Sequence, residues 1–124
     1  MSKVLLVDDS GLARRSTRRV LEDAGYTVVE AEDGLSALER FVMEKPDVVL
    51  LDLVMKGMYG LDVLAKIRQM DPAAKVIVVS ADVQTSSHDM VRAAGASGFI
   101  NKPAAPGQLA ATVAAILDGG TSWN

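Results

Sequence analysis

Apolar residues in this chain fall into short solid runs, separated by longer stretches in which they recur every three or four positions. Residues 3–7, 27–29, 48–51, 76–79 and the shorter 99–100 are runs of strand length. They are apolar nearly throughout rather than alternating, the pattern of strands covered on both faces. Between the first two runs, residues 10–24 predict a helix. Ala13, Thr17, Val20, Leu21 and Ala24 share one side of the wheel and Arg14, Arg15, Arg18 and Arg19 lie opposite. Ser10 is the expected N-cap and Gly25 the stop. A second helix starts at Asp33 and Gly34, shows Leu35, Leu38 and Val42 with Phe41 alongside, and ends at Lys45 and Pro46. Leu61, Leu64, Ile67 and Arg68 give a third, closed by the turn signal Asp71 and Pro72. A weakly amphipathic fourth spans 84–94, with Met90, Val91 and Ala94 apolar and Gly95 as cap. The fifth spans 108–117, with Leu109, Val113 and Ile116 inward. Strict strand–helix alternation predicts an α/β protein: a parallel sheet with helices on both faces and right-handed crossovers.

At 124 residues the chain is expected to be one domain, long enough to bury roughly two-thirds of its unfolded surface. With 49% hydrophobic and 23% charged residues it is globular rather than disordered. A net charge of -3 argues against direct nucleic-acid binding, which needs a basic surface. The absence of Cys excludes disulfide and thiol chemistry. The apolar run at residues 4–7 is too short for a signal peptide, and no stretch approaches transmembrane length. The expectation is a soluble cytoplasmic protein.

The residues at the carboxyl ends of the strands, where open α/β sheets place their chemistry, change the picture. The first strand ends in Asp8 and Asp9, the third in Asp52, the fourth in Ser80, and the fifth in Asn101, Lys102 and Pro103. One such residue is a turn former; three acids, a hydroxyl and a lysine on one edge make a site. Carboxylates about 4 Å apart repel by up to ~4 kcal/mol per pair at an effective dielectric of about 20. They must share protons, recruit a cation, or both. Oxygen ligands without His or Cys point to a hard ion, Mg²⁺ or Mn²⁺. An Asp beside such an ion can act as nucleophile toward phosphorus, with the lysine and the hydroxyl on the equatorial oxygens. These residues suggest phosphoryl transfer onto Asp52.

The same residues carry a resemblance. Asp8 and Asp9, the DLVM run at Asp52, the VVSAD run through Ser80, GASGFI, and Lys102 with Pro103 together resemble a response-regulator receiver domain of the single-domain chemotaxis (CheY-like) kind. The resemblance implies a flavodoxin-like (βα)5 fold with strand order 2-1-3-4-5. Residues 1–118 would form the domain, and 119–124 a frayed tail or the start of a linker. It implies that Asp52 accepts phosphate from a histidine kinase, a phosphotransfer protein or a small phosphodonor. Asp9 and Asp52 would ligate Mg²⁺ directly and Asp8 mainly through water, with the backbone carbonyl of Val54 as a further ligand. Lys102 and Ser80 would hold the phosphoryl oxygens. Phe99 would be an aromatic switch turning inward as Ser80 moves, and output would leave by the face of helix four, strand five and helix five toward a downstream protein. The protein would be a phosphoacceptor rather than an enzyme, and a monomer or weak dimer. The resemblance also suggests a cis peptide before Pro103.

Two positions depart from the family's habit. Lys56 stands four residues after the acceptor, where Pro is common, and Val54 two residues after it, where a polar residue is frequent. Together with Asp82, two after Ser80, they are the expected modulators of phosphoryl lifetime. The arginines of the first helix read as a solvated face or, by the resemblance, a kinase-docking one; His88 reads as an exposed helix residue, and Met55 and Met58 as packing for the loop.

Alternatives are open at this point. A phosphatase of the haloacid-dehalogenase type needs a second Asp where Val54 stands. A flavin binder needs a phosphate-cradling loop where Asp8 and Asp9 would repel it. A receiver module cut from a longer transcription factor or signalling enzyme would share every motif.

Overall fold

The computed structural model describes residues 2–55, 59–81 and 85–121, with the side chains of 85–87 excepted. The expected alternation is present: β1 (Lys3–Val7), α1 (Gly11–Asp23), β2 (Thr27–Ala31), α2 (Gly34–Glu44), β3 (Val48–Asp52), α3 (Gly60–Met70), β4 (Val76–Ser80), α4 (Thr85–Ala93), β5 (Gly98–Asn101) and α5 (Pro106–Leu117). All strand pairings are parallel, and the sheet order is β2-β1-β3-β4-β5, the order the resemblance implied.

Period-two geometry sorts the solid apolar runs into two cores. Leu5, Val7, Val49, Leu51, Val76, Val78 and Phe99 point to one face, where Ala37, Val63, Leu64, Ile67 and Val91 close over them. Val4, Leu6, Val28, Val48, Leu50, Ile77 and Ile100 point to the other, covered by Leu21, Leu109, Val113 and Ile116 of α1 and α5. The sheet is thus covered on both faces. Ser10 caps α1 by accepting from the Ala13 N–H at 3.2 Å, and Asp33 caps α2 from the Ser36 N–H at 2.8 Å. Gly25 ends α1 at φ +96°, a conformation that costs glycine little.

The strands run further than their apolar cores. β3 includes Asp52 and β4 includes Ser80, so both side chains are aimed by the sheet itself. The inward stripe of α2 also differs from expectation. Gly34 and Ala37 are buried and Leu38 and Phe41 pack on the core, while Leu35 and Val42 are exposed. The fully buried positions of α2 are thus its small residues. Met90 of α4 is likewise exposed, and Val91 is the buried one among its described side chains. The arginines of α1 split: Arg15 and Arg19 are exposed, but Arg14 and Arg18 turn toward β2 and pair with Glu30. Gly119 and Gly120 bond back to α5 through Ile116 O and Ala115 O, each at 3.0 Å. The rest of the expected tail, residues 122–124 with Trp123, lies outside the described residues. No helix among the described residues is long and apolar enough to cross a membrane.

Candidate functional site

The turn leaving β1 builds one wall of the site. The Asp8 N–H donates to Ala31 O at 3.1 Å, continuing the ladder to β2. The Asp8 carboxylate accepts from the Ser10 N–H at 2.9 Å, an Asx turn that leads into the capped start of α1. Asp8 is therefore buried and fixed, while Asp9 is exposed at the mouth.

Asp52 ends β3, the middle strand, between β1 and β4. Its Oδ1 accepts a long bond, 3.4 Å, from the Val54 N–H. Val54 itself is 64% exposed. The loop then folds back: the Gly60 N–H donates to Leu53 O at 2.8 Å. A Cβ on residue 60 would stand 2.6 Å from Asp52 O and 2.7 Å from Leu53 Cα, backbone atoms that cannot yield, so only glycine closes this loop. Met55 packs into the core beneath it. Lys56 and Met58 lie outside the described residues, as does Asp82.

Lys102 follows β5. Its N–H bonds Ser80 O at 2.8 Å, which ties the ends of β4 and β5, and the Lys102–Pro103 peptide is cis. The ammonium reaches across the edge to Asp8 Oδ2 at 3.0 Å and Asp52 Oδ2 at 3.5 Å. Ser80 is buried at the end of β4, opposite Asn101.

Electrostatics follow from this packing. Burial pushes the Asp52 carboxyl above the ordinary range and the Asp8 charge adds to it, against the pull of Lys102 and of the Val54 N–H. For Lys102, burial opposes the ammonium, but its hydrogen bond to Asp8 and the attraction of both carboxylates outweigh that and raise its pKa. Asp8, Asp9 and Asp52 each offer a carboxylate oxygen, all within 4.8 Å of one another. An all-oxygen anionic set of this size fits a small hard dication and offers nothing to a soft one.

A cleft of about 470 Å³ opens onto Asp8, Asp52 and Lys102 and runs between α1 and α5. Ala13, Ser16, Thr17 and Ala104 line it, and their small side chains leave the space.

The structure thus gathers Asp8, Asp9, Asp52 and Lys102, sets Ser80 on the adjoining strand end, and leaves Val54 at the surface. Phe99 lies apart from them, buried under α4 with the His88 ring centroid 4.0 Å from its own and the planes 36° apart. His88 is therefore half-buried and stacked, not the exposed residue expected. Sequence reasoning also missed Arg14, whose Nη1 donates to the Asp8 carbonyl at 2.6 Å. The available signal was Glu30, an acid inside a strand that needs a cation beside it.

Known proteins resemble this chain in sequence and fold. Residues 4–114 match the family model of the response regulator receiver domain. The chain is 42% identical over 104 residues to the chemotaxis protein CheY of Listeria monocytogenes, which covers 83% of this chain and 87% of that one. It is 45% identical over 106 residues to a protein-glutamate methylesterase/protein-glutamine glutaminase of Myxococcus xanthus, covering 83% of this chain but 30% of the relative. Among solved structures, a two-component response regulator of the LuxR family from Aurantimonas superposes with a TM-score of 0.94 at 33% identity, over 98% of this chain and 89% of that one. With an acidic strand-end cluster, a bridging lysine and a receiver match over nearly its whole length, the chain belongs to the response regulator receiver family and is a CheY-like receiver domain.

Proposed function

We propose that this receiver accepts a phosphoryl group on Asp52 from the phosphohistidine of a histidine kinase or phosphotransfer protein, or from a small acyl phosphate. The observation that carries this is the bridge of Lys102 to both Asp8 and Asp52, at 3.0 and 3.5 Å, above a cluster of three carboxylates. An Asp52 oxygen attacks phosphorus in line, the P–N bond to the donor imidazole breaks, and its electron pair returns to the ring nitrogen. Lys102 and the Ser80 hydroxyl hold the equatorial oxygens as charge gathers on them. Asp8, Asp9, Asp52 and the Val54 carbonyl would hold Mg²⁺, or Mn²⁺, which supplies the positive charge that lets a carboxylate meet a phosphoryl group. The chain is an acceptor consumed in each event, not a turnover catalyst, and it works in the cytoplasm. Its switch would run from Ser80 to Phe99, and its output would be the α4–β5–α5 face presented to a downstream protein.

A second reading keeps the chemistry and changes the setting. The Myxococcus relative, of which the chain covers 30%, favours a receiver serving as one module of a longer signalling protein. The phosphatase alternative has no general acid, because Val54 occupies its place.

Incubation with acetyl phosphate and Mg²⁺ is expected to add one phosphoryl group, about 80 Da, to the intact mass. Asp52→Ala should take none. Mg²⁺-dependent labelling of Asp52→Ala at wild-type level, with no neighbouring hydroxyl modified, would sink the assignment.

A further inference from the structure

Arg14 lies on the first turns of α1, where its neighbours Arg15 and Arg19 face solvent, yet its side chain is only 17% exposed. Its guanidinium forks. Nε donates to Glu30 Oε1 at 3.0 Å, and Nη1 donates to the main-chain oxygen of Asp8 at 2.6 Å. Glu30 is held in turn by Arg18 Nη1 at 2.6 Å, so the acid anchoring the fork is itself anchored. A charge-assisted bond to a carbonyl is short and directional, and a planar fork orders its partners in a way a flexible ammonium does not. Asp8 is consequently fixed on each of its polar groups. Its N–H goes to Ala31 O, its carbonyl to Arg14, and its carboxylate to the Ser10 N–H and Lys102. The peptide whose oxygen Arg14 grips is the one that links Asp8 to Asp9.

We propose that Arg14 is a positioning residue for the divalent-cation site, fixing the turn through Asp8 and Asp9 so that both carboxylates stay within reach of Asp52. The proposal rests on reading the acidic cluster as a cation site. It has an unusual sign. A positive group next to an acidic cluster weakens cation binding by simple repulsion, so deleting it should tighten binding. If Arg14 works by holding the turn, deleting it loosens the ligands and weakens binding instead. Outer-shell partners that orient metal ligands are typically worth 10–100-fold in affinity.

The test is direct titration with Mn²⁺, following the free aqua ion by electron paramagnetic resonance, with Mg²⁺ as competitor. Arg14→Met is expected to weaken Mn²⁺ about tenfold, and Arg14→Lys, which keeps the charge but cannot span both partners, nearly as much. Amide exchange at Asp9 and Ser10 in the metal-free protein should accelerate in both variants, while melting temperature changes little in Arg14→Lys. Should Arg14→Met fail to fold, Arg14→Lys decides alone: charge repulsion leaves its affinity unchanged, and positioning lowers it. Binding as tight as wild type, or tighter, in the folded variants overturns the proposal. Asp9→Asn separates the two readings. Wild-type binding that depends on Asp9 but not on Arg14 removes this inference only, whereas wild-type binding indifferent to Asp9 removes the metal site and this inference with it.

Discussion

Lys102 and Asp8, 94 residues apart in the chain, are joined by a 3.0 Å ion pair across the carboxyl edge of the sheet. Two strands, β3 and β4, lie between theirs, so the lysine stem must cross the end of β3, where Asp52 stands. The ammonium therefore answers two carboxylates at once. Three carboxylates against one ammonium leave two negative charges uncompensated among these four groups, the charge of a divalent cation. The repulsion among these carboxylates and the proposed affinity for a cation would have the same origin.

Asp52→Asn should stabilise the metal-free protein at neutral pH. The folded state raises the Asp52 pKa, chiefly by burial and then by the Asp8 charge. A folded pKa above the unfolded one means that the stability this group gives is complete below the ordinary carboxylate range and is lost as pH rises through the folded value. At pH 7 the ionised carboxylate opposes folding, and the amide does not. Lys102 keeps Asp8 as partner, so nothing buried is left unpaired. A gain of about 1 kcal/mol would raise Tm by about 4 °C. The difference should shrink toward pH 4. Wild type melting at or above Asp52→Asn at pH 7 would contradict the electrostatic account.

Mg²⁺ should stabilise the fold by linkage. A ligand that binds only the native state adds about 2.7 kcal/mol at a hundredfold excess over its Kd. Tm is expected to climb several degrees with Mg²⁺ and to do so far less in Asp9→Asn. If the double variant Asp9→Asn, Asp52→Asn keeps the whole shift, the ion binds somewhere else.

Much of this was legible in the sequence, and what escaped has a common cause. Solid apolar runs announce buried parallel strands because both faces need covering, and the order of acids at their ends follows from the alternation alone. Pattern reading weights large residues, so it set Leu35 and Val42 beside Leu38 and Phe41 on the inner stripe of α2; Leu38 and Phe41 do pack on the core, but the fully buried positions are Gly34 and Ala37. It also ended β3 and β4 one residue early, because Asp52 and Ser80 break hydrophobicity without breaking the ladder. Arg14 with Glu30, and His88 with Phe99, are contacts between elements. They depend on how a helix sits over a strand, which no local period encodes.

Phosphorylation is expected to be felt at Phe99 and His88. The two rings lie 4.0 Å apart where α4 covers β5, and Ser80 ends the strand paired with β5. If Ser80 shifts toward Asp52, space is expected to open on the face where Phe99 is packed. Beryllofluoride with Mg²⁺ should therefore move amide resonances of β5 and α4, and the His88 ring protons should lose part of their ring-current shift. A response confined to the neighbours of Asp52 would show that Phe99 is not the switch in this chain.

Val54 should govern how long the phosphoryl group lasts. An aspartyl phosphate is lost when water attacks phosphorus in line with the Asp52 oxygen, and the help a protein can give is to position that water. Val54 follows the acceptor by two residues, and its N–H bonds the Asp52 carboxylate at 3.4 Å. The residue is 64% exposed and so stands on the solvent side of the acceptor, where water arrives. An isopropyl group there offers water no hydrogen bond and occupies part of the approach. Slow self-dephosphorylation is the expected outcome, with reset then falling to a separate phosphatase or to return of the group to its donor. Val54→Asn supplies a donor and an acceptor at the same place without touching the core. It should shorten the lifetime by up to ~10²-fold, the lower bound of ordinary proton-transfer and water-positioning effects, while leaving Mg²⁺ affinity and melting temperature nearly unchanged. The measurement is the decay of labelled phosphate from purified protein after removal of the donor. Rapid decay in wild type that Val54→Asn leaves unaltered would mean that water reaches phosphorus along a path this side chain does not guard.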